Sequence, residues 1–232
     1  MIGDQNSILR CISLIVLSLF IIACKSFSES QTGEKSLHCD PPLVKVEVKK
    51  ALDGDTVLLD SGDRLRYAGI NALELQGVDG KPEPFALKAY QRNKELTEGK
   101  TFCLEKASRE RDRYGRTLGD LLLPNGTSIS AILISEGLAL VCYYEGSATF
   151  FERLLPVQIE ALNRRIGLFS MVDKKEAKIS FIGNRASKRF HHPSCSEAKR
   201  VKKKVLFKDL ESALREGYCP SRECAKDLFT RD

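Results

Sequence analysis

The chain has 232 residues, 29% of them charged and 42% hydrophobic, with 8 Cys and a net charge of +6. That length holds one medium domain plus an accessory piece. The composition is that of an ordinary soluble protein and excludes a disordered chain or one that crosses a membrane many times. The positive charge is uneven: residues 171–232 carry 16 Lys and Arg against 9 Asp and Glu, whereas residues 1–170 carry 21 against 22. A basic tail fits a polyanionic partner, and equally a solvated charged face.

Residues 1–23 read as an export signal. Arg10 is the only positive charge before an apolar run over 12–23 that is too short to span a membrane comfortably. The run ends Ile21-Ile22-Ala23-Cys24, which resembles a bacterial lipobox, so Cys24 is the expected lipidation site and first mature residue. An ordinary signal peptide or a short anchor helix is the other reading. Residues 24–42 are polar and form a tether closed by Pro41-Pro42.

Residues 43–52 alternate apolar Val44, Val46 and Val48 with Lys45, Glu47 and Lys49, the period of a half-buried strand. A run from Thr56 to Asp60, a Ser61-Gly62-Asp63 turn and a run from Arg64 to Ile70 predict a hairpin. A Gly- and Pro-rich loop over 76–84 leads to a helix over 85–98, ended by Gly99. Strands are expected over 101–105 and 117–123, and Pro124-Asn125-Gly126 is a turn signal. A helix over 128–136 stops at Gly137, and a last one over 150–166 has Pro156 in its first turn or kinking it. Five strands interrupted by a helix predict an α+β fold: a five-stranded OB-type Greek-key barrel with about three helices. Residues 171–178 are a charged linker, and 179–226 form a small Cys/His-containing C-terminal module.

The chemistry gathers between Asp53 and Glu74. Asp55, Arg66, Asn71 and Glu74 lie on or beside short strands whose ends converge easily on one spot. One carboxylate can hold a hard cation, another can take a proton, and Arg can neutralise an anion, a set suited to a phosphate. A second Arg is expected, and the turn Asp112-Arg113-Tyr114-Gly115-Arg116 supplies Arg116.

DGDTV (53–57), RLRYAGINALE (64–74), DRYGRTLGDLLL (112–123) and Gly137-Leu138-Ala139, in that order, resemble the staphylococcal-nuclease-like (thermonuclease) domain over residues 43–170. The resemblance implies a calcium-dependent phosphodiester hydrolase that attacks DNA or RNA with water and leaves 3′-phosphate ends. It makes Asp55 a Ca²⁺ ligand, the Ala72 carbonyl another, Glu74 the general base, and Arg66 and Arg116 the charge-stabilising pair. Asn71 stands where the family has a liganding Asp, and Leu73 where it has Pro, so Ca²⁺ is expected to bind more weakly. The alternative is a nucleic-acid-binding lipoprotein that does not cut because Asn71 has impaired the metal site. Tyr114, Tyr143 and Tyr144 either stack on bases or are half-buried barrel tyrosines.

The tail, from Phe181 to Cys224, resembles small zinc-binding modules related to the N-terminal domain of the Ada DNA-repair protein. The resemblance implies Zn²⁺ held by His191, Cys195, Cys219 and Cys224, although Ser221 sits where the second pair's first Cys belongs. A disulfide, Cys195 with Cys219 or Cys224, is the competing reading for an exported chain. Lys199 to Lys204, with Arg185, Lys188 and Arg189, should present a basic face. The expected whole is a membrane-anchored lipoprotein exported from a bacterial cytoplasm, with DNA or RNA as substrate and no protein partner indicated.

Overall fold

Strand β1 (Val44–Ala51) turns only Val48 and Ala51 fully inward, three residues apart, because its register shifts between Val48 and Lys50. It pairs antiparallel with β2 (Thr56–Leu59) on one side and β5 (Thr101–Arg111) on the other. Strand β3 (Arg64–Tyr67) follows β2 as a hairpin, and β6 (Thr117–Leu122) lies antiparallel to β5 and parallel to β3. The sheet closes in the order β1-β2-β3-β6-β5, the expected five-stranded OB-type barrel. Its interior holds Val48, Val57, Leu65, Tyr67, Phe102 and Leu121. This computed structural model describes residues 37–77, 80–172, 180–222 and 229; the export signal, Cys24 and Cys224 lie outside the described residues.

Helix α1 (Ala86–Thr97) and helix α2 (Ile129–Ser135) pack against this core, α2 through Ile129, Leu133 and Ile134. The Ala131 N–H donates to the Ser128 hydroxyl at 2.9 Å, which satisfies one of the donors a helix start leaves over. Helix α3 (Ala148–Asn163) begins before the expected boundary, so Pro156 sits in mid-helix rather than in its first turn. Two three-residue strands, β4 (Ile70–Ala72) and β7 (Ala139–Val141), pair antiparallel outside the barrel. Three residues are too few to announce themselves by alternation.

Beyond a 3₁₀ turn at Gly167–Met171 the chain builds β8 (Phe181–Asn184), β9 (Arg189–His191), β10 (Lys204–Phe207), α4 (Leu210–Arg215) and β11 (Cys219–Pro220). The strands form one sheet in the order β10-β8-β9-β11. Phe181, Phe190, Phe207 and Tyr218 share a core with Leu140, Ala161, Leu162 and Phe169, so the tail packs on β7 and α3. Buried Gln158 fastens the seam. Its amide donates to the Leu214 carbonyl at 2.7 Å, and its oxygen accepts from the Val141 N–H at 2.7 Å.

The zinc reading of the tail does not stand. Cys219 is bonded to Cys142 and Cys39 to Cys103, and Cys195 is also in a disulfide. A sulfur in a disulfide has no thiolate to give a metal. His191 lies buried on β9, its pKa lowered by desolvation. Among the described residues no cluster of three or more His, Cys, Asp or Glu is placed to hold a metal ion. Cys219 paired with Cys142 rather than with Cys195, because the shared core brings β11 against the chain just after β7.

Candidate active site

The loop between β1 and β2 carries Asp53, Gly54 and Asp55. A Cβ at Gly54 would lie 2.6 Å from the Ala72 Cβ and 2.7 Å from the Ala89 Cβ, so only Gly lets the loop rest on β4 and α1. That approach lets the Ala72 N–H donate to Asp55 Oδ2 at 2.7 Å. Asp53 holds the loop's shape by accepting from the Asp55 N–H at 2.9 Å. The Asn93 amide donates to the Asp53 carbonyl at 2.8 Å and accepts from the Tyr67 hydroxyl at 2.8 Å.

Arg66 lies in β3 between Leu65 and Tyr67, which fill the barrel, so strand alternation sends its side chain to the outer face. There Nη2 pairs with Asp55 Oδ2 at 3.0 Å and donates to Asn71 Oδ1 at 3.2 Å. Nη1 donates to the Tyr67 carbonyl at 2.7 Å. Asp55 and Arg66 are only 6% and 8% exposed. Burial pushes the Asp55 carboxyl up to about 7, against the pull of Arg66 and with a further push from Asp53. Burial works against the charge on Arg66 too, but Asp55, Tyr144, Asp53 and Glu74 outweigh it and raise its pKa. Glu74 is thus near enough to be felt by Arg66.

Asn71 and Ala72 belong to β4. Asn71 Nδ2 donates to the Ala72 carbonyl at 2.9 Å, and its Oδ1 accepts from the Tyr144 hydroxyl at 3.2 Å as well as from Arg66. Glu74 donates its N–H to Glu83 Oε2 at 2.7 Å, while its own Oε1 meets Arg222 Nη2 at 2.7 Å. Arg116 stands apart. Its Nε donates to Asp112 Oδ2 at 2.8 Å, and its guanidinium lies 5.5 Å from the Tyr114 ring centroid. Since Arg66 is level with Leu118 in the parallel β3–β6 ladder, Arg116 lies just ahead of β6, two residues before that level.

These oxygens fit a hard cation. Asp55 Oδ2 and Asn71 Oδ1 already converge on one cationic atom, Arg66 Nη2, and the Ala72 carbonyl adjoins them. A buried carboxyl pushed up towards neutral by desolvation and by a second carboxylate has negative charge that a divalent ion would offset. Asp55 is the one carboxylate in this set, so a cation there would be held weakly.

Some contributors have no local signal. Tyr144 has two guanidiniums over its ring, Arg66 at 5.8 Å and Arg189 at 4.7 Å from the centroid, whereas its sequence offered only base stacking or half-burial. Arg222, Arg189 and Glu83 reach the site through the fold. Tyr143 packs edge-on to Phe151, with centroids 5.8 Å apart, and Tyr114 is 66% exposed.

Residues 64–171 match the family described as staphylococcal nuclease homologue. The chain is 31% identical over 149 residues to Endonuclease YncB of Bacillus subtilis (strain 168), covering 62% of this chain and 70% of that protein. It is 36% identical over 141 residues to Micrococcal nuclease of Shigella flexneri, covering 56% and 76%. With Thermonuclease of Staphylococcus hyicus it shares 24% identity over 160 residues, 68% of this chain and 94% of that one.

Proposed function

The chain belongs to the staphylococcal nuclease family and is a nuclease, and from that premise we propose that it is a calcium-dependent hydrolase of DNA or RNA phosphodiesters, working outside the cytoplasm from a lipid anchor at Cys24. The observation that carries the calcium reading is the convergence of Asp55 and Asn71 oxygens on Arg66 Nη2, with Asp55 and Arg66 both buried. Asp55, Asn71 and the Ala72 carbonyl would hold the ion, which supplies positive charge against the phosphate when bound. Relatives named as nucleases favour this over a binder that does not cut.

The chain's own residues do the rest. The Tyr67 carbonyl holds Arg66 Nη1, and with the Asp55 and Asn71 oxygens turned to the ion, Nη2 would be released to face the phosphate oxygens as charge gathers on them. Glu74 takes the proton of the attacking water as the new P–O bond forms, and the bond to the 5′ oxygen breaks to leave a 3′-phosphate and a 5′ oxygen that takes its proton from solvent water. To act so it must leave Arg222, and a pair with side chains 79% and 44% exposed is weak enough to break. Arg116, at the mouth of β6, exchanges Asp112 for a phosphate oxygen.

The purified chain is incubated with single-stranded DNA and with RNA, in calcium or in chelator. Cleavage only with calcium is expected, together with loss of about 10²-fold or more of turnover in Glu74→Gln. Cleavage unaffected by chelator overturns the metal assignment. Metabolic labelling with a fatty acid, absent from Cys24→Ser, tests the anchor.

A further inference from the structure

Two cations of the C-terminal segment are delivered to the catalytic cluster by the Cys142–Cys219 bond. Cys142 follows β7, and its N–H donates to the Gly69 carbonyl at 2.8 Å, just ahead of β4. Cys219 is level with Arg189 in the parallel β9–β11 ladder. The disulfide therefore sets Arg189 beside the residue two beyond Cys142, which is Tyr144. It also leaves Arg222, three residues past Cys219, at Glu74.

Arg189 has what a ligand site needs. Its guanidinium lies 4.7 Å from the Tyr144 ring centroid, and Tyr144 is bonded through its hydroxyl to Asn71. Its Nη1 is buried and has no hydrogen-bond acceptor among the described residues. A buried N–H without a partner is costly, and more so on a charged group. On the far side the Arg222 side chain is 79% exposed, and among the described residues it pairs with Glu74 at the rim. The basic segment thus aims one under-satisfied and one weakly engaged guanidinium at the site.

We propose that Arg189 and Arg222 form a phosphate subsite for the nucleic-acid strand beyond the scissile group, making long strands better substrates than small diesters. This rests on the nuclease reading above. Arg66 and Arg189 both lie over the Tyr144 ring, so a strand whose scissile phosphate meets Arg66 brings a neighbouring phosphate to Arg189. A second phosphate at Arg222 competes with the Glu74 carboxylate for the same guanidinium. Occupying the subsite therefore frees the base, and only a substrate with flanking phosphates does so. Bidentate guanidinium forks suit phosphate oxygens at both positions.

The test compares a single-strand oligonucleotide of twelve residues with a nitrophenyl phosphodiester of one nucleoside, in calcium. Arg189→Ala is expected to lower the ratio of kcat/KM for the oligonucleotide to that for the small diester about tenfold, mainly through KM. Arg189→Lys should restore part of it, and Arg222→Ala should lower it in the same direction. Lys208→Ala, which removes an equal charge from the same segment away from the site, should not move the ratio. Equal losses on both substrates in Arg189→Ala, or a matching change in Lys208→Ala, overturn the subsite. Anisotropy of a labelled oligonucleotide in chelator is the second arm, where Arg189→Ala should weaken binding and reduce the salt slope by about 0.7 for one single-strand phosphate contact. A wild-type chain that cuts neither substrate refutes the calcium-nuclease reading, and the binding arm then decides the subsite by itself: an unchanged slope overturns it.

Discussion

Asp55→Asn should make the calcium-free protein more stable at neutral and alkaline pH. The Asp55 carboxyl ordinarily titrates at 3.8, and in the fold burial pushes it up to about 7 even with Arg66 beside it. The folded state therefore holds a proton that the unfolded chain has already released. Stability from this group is complete below pH 4, falls as pH rises towards 7, and is lost above that. A shift of about 3 units corresponds to roughly 4 kcal/mol. Asn is the neutral isostere, so it should recover most of this. Its oxygen can accept from the Ala72 N–H as Asp55 Oδ2 does at 2.7 Å, and its amide must turn the Thr56 hydroxyl, which now donates to Oδ1 at 3.2 Å, into an acceptor. Allowing about 1 kcal/mol for that rearrangement, the variant should gain about 3 kcal/mol at pH 8 and lose up to about 1 kcal/mol at pH 4. Urea unfolding in chelator between pH 4 and 9 measures it. Saturating wild type with calcium should restore the balance, by about 2.7 kcal/mol at a hundred times the Kd. A variant no more stable than wild type at pH 8, or a gain that persists undiminished at pH 4, refutes the reasoning.

Gln158→Leu should cost about 2–4 kcal/mol in urea unfolding, since it orphans the buried Val141 N–H and Leu214 carbonyl together. Replacing Cys142 and Cys219 by Ser opens a covalent loop of sequence separation 77; it should lower stability by about 2–4 kcal/mol, read by denaturation without reductant. Asn71→Asp adds a ligand charge beside Asp55 and should lower the calcium needed for half-maximal cleavage about tenfold, read by titration of rate against free calcium. An unchanged requirement places Asn71 off the metal.

The sequence by itself carried the barrel, because alternation in residues 43–52, the Ser61-Gly62-Asp63 turn and the helix stops at Gly99 and Gly137 are local consequences of backbone geometry. It also carried Asp55, Arg66, Asn71 and Glu74, which lie within one hairpin and its exit and so had to end close together. Strand β4 and its partner β7 were not legible, being three residues each and defined only by one another. The start of α3 was set too late, which left Pro156 in its first turn as one option, because a helix start depends on capping and packing, and α3 begins at Ala148 with Phe150 and Leu154 against the barrel core. The cysteines were the sharpest case. The tail's resemblance to a zinc module implied His191, Cys195, Cys219 and Cys224 as one set, against a disulfide within the tail, while the pairing of Cys219 with Cys142 is decided by burial of Phe181, Phe190 and Phe207 against Leu140 and Leu162. The same packing brings Arg222 to Glu74, 148 residues away in the chain. Contacts at that separation leave no periodic trace, because each residue's local environment is the same whichever partner the folded core presents to it.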